Sequence, residues 1–133
     1  MSAKEFDCER FKMKIGDNLI KEIVVKSGQV FGEADVKESK ELSCEYKPNS
    51  RFFVLMEGEE GATVNNAARR IAASREYAQY TSALALCSSN LALRIMGNLF
   101  LKVNKPAVHT RLFETREEAL AWLHKQMEGQ KGQ

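Results

Sequence analysis

A mixed α/β fold is the class this sequence predicts: a sheet of about five strands that begins with an antiparallel hairpin and carries helices packed on it. Three observations support it. Apolar and charged residues alternate on both sides of a turn between residues 11 and 26, as they do in a half-buried hairpin. From residue 33 onward strand-like and helix-like segments take turns, which implies right-handed crossovers and parallel strands. The apolar runs at residues 51–56 and 82–87 have the composition of strands covered on both faces.

The chain has 133 residues, enough for one core without disulfide or metal staples, so a single domain over residues 1–133 is expected, with flexible ends at 1–5 and 128–133. Its 44% hydrophobic and 29% charged composition is that of an ordinary globule. Twenty basic residues (Lys and Arg) stand against 18 acidic ones, a net charge of +2 with no clustering, so neither nucleic acid nor an anionic membrane surface is an expected partner. Cys8, Cys44 and Cys87 are odd in number and widely spaced, which suits neither a disulfide framework nor a zinc site. The first residues lack the apolar core of a signal peptide. Ser88, Ser89, Asn90, Arg94 and Asn98 interrupt the most apolar window too often for a membrane span. A cytoplasmic protein is the expectation.

Phe11, Met13 and Ile15 alternate with Lys12 and Lys14 as a strand, Gly16, Asp17 and Asn18 signal a turn, and residues 19–26 return as the second strand of the hairpin. Val30 and Phe31 form a brief third strand. Residues 33–46 are charged, with Val36, Leu42 and Tyr46 as a thin apolar stripe, and predict a surface helix. Lys47 to Ser50 break the chain, and residues 51–56 form a buried strand that ends in a loop with Glu57, Glu59 and Glu60. Thr63 is the expected cap of a helix whose Val64, Ala67, Ala68, Ile71 and Ala72 share a face, and Ser74 of a short second helix through Tyr80. The strand at 82–87 leads into an apolar helix over residues 91–103, where Arg94 and Lys102 are the only full charges, so that helix must be covered by something. After Pro106 comes a strand at 108–113. Thr115 and Glu118 have the spacing of a capping box, opening a helix lined by Ala119, Leu120, Trp122, Leu123 and Met127.

The block Ile95-Met96-Gly97-Asn98-Leu99-Phe100-Leu101-Lys102-Val103-Asn104-Lys105-Pro106, followed by Thr110-Arg111-Leu112-Phe113 and Glu117-Glu118-Ala119-Leu120-Ala121-Trp122-Leu123, resembles the STAS, or SpoIIAA-like, group. The resemblance is closer to uncharacterised bacterial STAS/SEC14-type domains of the kind frequent in Bacteroidota. It covers residues 51–127, and residues 6–46 look like the N-terminal half of the same proteins. In anti-sigma-factor antagonists of this fold a serine at the start of the helix after a central strand is phosphorylated, and Ser88 and Ser89 hold that position here. That group has an acidic residue before the serines and a glycine after them, where this chain has Cys87 and Asn90.

Two readings of Ser88 and Ser89 follow: phosphoacceptor, because a helix N-terminus stabilises a phosphate, or helix cap. Leu91, Ile95, Met96, Leu99 and Phe100 are the candidate apolar surface, for a second subunit with Gly97 at the contact or for a small molecule. No catalytic, cofactor-binding or metal-ligating set is expected. Glu57, Glu59 and Glu60 lack a companion His or Asp, and His109 and His124 lack a nucleophile. Cys87 sits at a strand end where ligands of open sheets bind, and Arg94, Lys102, Lys105 and Arg111 are a candidate phosphate set against a solvated rim. The expected role is therefore a non-enzymatic STAS-like interaction or regulatory module, a homodimer or the partner of a regulatory protein. The alternative is a carrier or sensor of a lipid or other apolar small molecule, as SEC14 kinship implies.

Overall fold

A computed structural model describes residues 3–88 and 90–131. The chain runs β1 (Lys4–Asp7), β2 (Phe11–Ile15), β3 (Ile20–Val25), β4 (Val30–Phe31), α1 (Glu33–Tyr46), β5 (Phe52–Gly58), β6 (Thr63–Val64), α2 (Asn66–Ala73), α3 (Arg75–Gln79), β7 (Thr81–Cys87), α4 (Leu91–Leu99), β8 (His109–Phe113) and α5 (Arg116–Lys131). A π-helical turn, Phe100–Asn104, follows α4 directly. Six strands form one sheet in the order β1-β2-β3-β5-β7-β8, antiparallel through β3 and parallel from there on. The expected architecture is therefore present with one strand more, since β1 pairs with β2 at the edge. Regular structure reaches Lys4 at one end and Lys131 at the other, further than the sequence pattern extends it.

Val30 and Phe31 do form a strand, but they pair with Thr63 and Val64 in a separate two-stranded sheet. That pairing corrects the expected cap at Thr63. The Thr63 and Asn65 amides donate to the Gln29 and Phe31 carbonyls, which holds residues 63–64 extended. The helix begins later, where Asn65 Oδ1 accepts from the Ala68 amide at 2.9 Å. Replacing Asn65 with alanine is expected to lower stability by about 1 kcal/mol in urea titration, the usual loss on removing such a cap. Ser74 caps α3 as the sequence predicts, its Oγ 3.1 Å from the Tyr77 amide.

Period-2 alternation divides the core between two faces. On one face α5 alone covers Ile20, Phe53, Leu55, Ala83 and Ala85 with Ala119, Trp122 and Leu123. Thr115 caps this helix, half of the expected capping box: the Glu118 amide donates to Thr115 Oγ1, and that hydroxyl donates to the Glu118 carboxylate. On the other face α1, α2 and the α4 segment enclose the larger core around Phe11, Ile23, Phe52, Val54 and Leu84. Strand register lines up Met13, Ile23, Met56, Leu86 and Leu112 across that face. On α1 the expected stripe of Val36, Leu42 and Tyr46 packs on this core, and the polar Asp35, Ser39 and Ser43 are buried with it. Asp35 takes two 2.9 Å bonds from Arg10 Nε and one from the Gly32 amide, so a buried carboxylate is fully satisfied there.

Candidate functional site

At the carboxyl ends of the parallel strands the chain turns from β7 into α4. Asn90 caps the helix, its Oδ1 2.8 Å from the Ala92 amide. This corrects the capping role expected of Ser88, which lies before the first turn and is buried. Ser88 Oγ accepts from the Asn90 amide and donates to the Asn90 carbonyl, both at 2.9 Å, closing a local turn. A kinase would reach that hydroxyl only after the turn opened. Ser89 lies outside the described residues.

The α4 segment has two unlike sides. Leu93, Met96, Gly97 and Phe100 face the sheet. A Cβ on Gly97 would come within 3.1 Å of Leu112 Cδ1 and 3.7 Å of Leu86 Cδ1, so the glycine brings the helix close to its own sheet rather than to another subunit. The opposite side is a stripe of Leu91, Ile95, Leu99 and Val103, 65, 53, 47 and 69% exposed. Spacing of four residues keeps these side chains in one line along the helix. The expectation that the whole segment is covered holds only for the inner side. Of the candidate apolar residues, Met96 and Phe100 point inward and Leu91, Ile95 and Leu99 outward. A groove of about 350 Å³ adjoins the stripe, bounded by Leu91, Arg94, Ile95 and Asn98 and by Leu112, Phe113 and Glu114 beside β8, the edge of the sheet.

Between α4 and the sheet lies a second feature, a cavity of about 100 Å³. Its floor includes Ile23, Met56, Leu84 and Leu86, and its walls come from α1, α2 and the inner side of α4. One wall residue is Lys21, only 2% exposed. Its place on β3 puts it on the same face as Ile23 and Val25, so the strand's alternation buries it. The amine donates to Ser43 Oγ at 3.1 Å and sits 5.2 Å from the Phe52 ring centroid. Among the described residues no carboxylate lies within ion-pair distance of it. Burial lowers this amine from an ordinary 10.5 to about 8, with Cys44 acting weakly the other way. Sequence reasoning passed over Lys21. Its signal was the period-2 register with Ile23 and Val25, matched by Ser39 and Ser43 four residues apart on α1.

The remaining candidates separate. Glu57 pairs with Arg116 at 2.5 Å, and the same guanidinium bonds Glu22. Glu59 instead accepts from the Ser27 amide at 3.0 Å, so the loop carboxylates serve different contacts. Cys87 is buried and its thiol is pushed up by burial, with Glu57 adding to the effect, the reverse of an activated thiolate. Arg94 pairs with Glu114 at 3.5 Å while Arg111 lies over the Phe113 ring, which also packs against Trp122 of α5. Lys102 is exposed, and Lys105 takes a left-handed φ of 50° to end the π-helical turn. These cations do not converge. His109 packs edge-on against Trp122, and His124 is exposed. No helix among the described residues is long and apolar enough to cross a membrane.

A family model described as a domain of unknown function, DUF7793, matches residues 13–127. Among curated proteins none matches the chain. In three dimensions the chain is similar to the crystal structure of an uncharacterised protein of the DUF3478 family with a SpoIIAA-like fold from Shewanella loihica PV-4. Identity is 10%, the match covers 92% of each chain, and the TM-score is 0.51. A likeness at that identity speaks for the fold, and the SpoIIAA-like architecture predicted from sequence is thereby found.

Proposed function

We propose, for a chain that belongs to the DUF7793 family of domains of unknown function, a non-enzymatic regulatory module of STAS-like fold that works through protein contacts on the outer side of α4. The observation that carries this reading is the exposed line of Leu91, Ile95, Leu99 and Val103. Isolated apolar residues on a surface need no explanation, but four large ones in register on one helix form a patch. Its first occupant in this reading is a second copy of the chain. A straight apolar ridge is self-complementary under a two-fold axis, where each helix lays its stripe against the other's. The free cysteines Cys8, Cys44 and Cys87 suit a reducing, cytoplasmic setting. Introducing a charge by Ile95→Glu is expected to weaken self-association at least about tenfold in sedimentation velocity without changing the circular dichroism spectrum. Unchanged association of the variant would remove α4 from the contact.

A second reading, a sensor of an apolar small molecule, is favoured by the cavity beneath the same helix. At about 100 Å³ the space is smaller than the roughly 150 Å³ that admits benzene in an engineered protein, so it suits a small compound rather than a lipid chain.

A further inference from the structure

Lys21 gives that cavity a chemistry. A lysine ammonium has three donors, and among the described residues Ser43 Oγ is the one hydrogen-bond partner it reaches. The Phe52 ring offsets part of the charge but supplies no counter-charge. Removing such a cation from water is costly unless an anion joins it. Ser39 lines the same wall, and its hydroxyl is engaged at 3.4 Å by the Met13 thioether, a weak acceptor easily exchanged for an oxygen. Lys21 and Ser39 thus stand in the wall of a space whose lining also includes Lys40, Glu57 and Arg69 and whose floor is Ile23, Met56 and Leu84, the arrangement expected of a site for a molecule with one polar end.

Resting on the small-molecule reading above, we propose that the cavity binds a small apolar monocarboxylate, its carboxylate on the Lys21 ammonium and its hydrocarbon part against Ile23, Met56 and Leu84. The volume limits the ligand to roughly two to four carbons, no larger than benzene, whose host cavity is bigger than this one. Pairing supplies the counter-ion the fold lacks, and the charge-assisted bond gives the acid its advantage over a neutral analogue of the same shape.

The test is a methyl NMR titration of the full chain with propanoate and butanoate, and with propanol and butanol as neutral matches. Expected are shifts at the Ile23, Met56 and Leu84 methyls, dissociation constants at least about tenfold lower for the acids than for the alcohols, and loss of that preference in Lys21→Met while alcohol binding persists. Acids binding no more tightly than alcohols, or equally well to Lys21→Met, would overturn the carboxylate assignment and leave the small-molecule reading standing. Binding of neither class would overturn both.

Discussion

Lys21→Met is expected to make the folded chain more stable at pH 7, by about 1 to 3 kcal/mol in urea denaturation. The amine titrates at about 8 in the fold and near 10.5 when exposed, a difference worth about 3 kcal/mol. Below pH 8 the lysine is charged in both states, and the folded state bears the whole penalty of burying it. Between pH 8 and about 10.4 the unfolded chain binds more protons than the folded one, so stability rises with pH and the penalty fades. Methionine has a similar length and no charge, and should remove the penalty at every pH. The gap between variant and parent therefore closes as pH climbs from 7 to 10. Tyr77, pushed up to about 12 by burial, has the opposite sign above pH 10, because the unfolded phenol loses its proton first. Comparing the two proteins at each pH cancels that contribution. A variant no more stable at pH 7, or a gap independent of pH, would show that the amine is not held charged in a dry site.

Leu123→Ala should produce the largest single loss, about 2 to 5 kcal/mol, read as a lowered urea midpoint at unchanged slope. Leu123 is fully buried beside Ala119 and Trp122, and α5 alone covers its face of the sheet. Leu55, Ala83 and Ala85 lie beneath it on the central strands β5 and β7, and the small alanines cannot grow to fill the void. A loss under 1 kcal/mol would mean that this face repacks freely, contrary to the close fit of helix on sheet.

Much of this architecture is legible in the sequence because local and tertiary forces agree. The bounds of α1 follow from its run of helix-tolerant residues, and the cap of α5 from Thr115 alone. Where they diverge, tertiary pairing decides. Thr63 has the chemistry of a cap, yet pairing with β4 extends its backbone and passes the role to Asn65. β1 has only Phe6 as an apolar residue, too little to show a period, and is set by its register with β2. The two sides of α4 are hidden in the sequence because both carry large apolar residues, Leu93, Met96 and Phe100 on one and Leu91, Ile95 and Leu99 on the other. Only the position of the sheet tells Met96 and Phe100 from Leu91, Ile95 and Leu99. Lys21 was obscured by its type, since a charged residue in a strand suggests the solvent face, whereas the register with Ile23 puts it in the core.

Whether the outer side of α4 is a contact between copies can be read from a mixed sample of isotope-labelled and unlabelled chain by isotope-filtered NOE spectroscopy. The account predicts intermolecular signals from the Leu91, Ile95 and Leu99 methyls, and none from the Met96 and Phe100 side chains beneath them. Intermolecular signals confined to another surface, such as the β1 edge of the sheet, or a chain that stays monomeric at millimolar concentration, would contradict it.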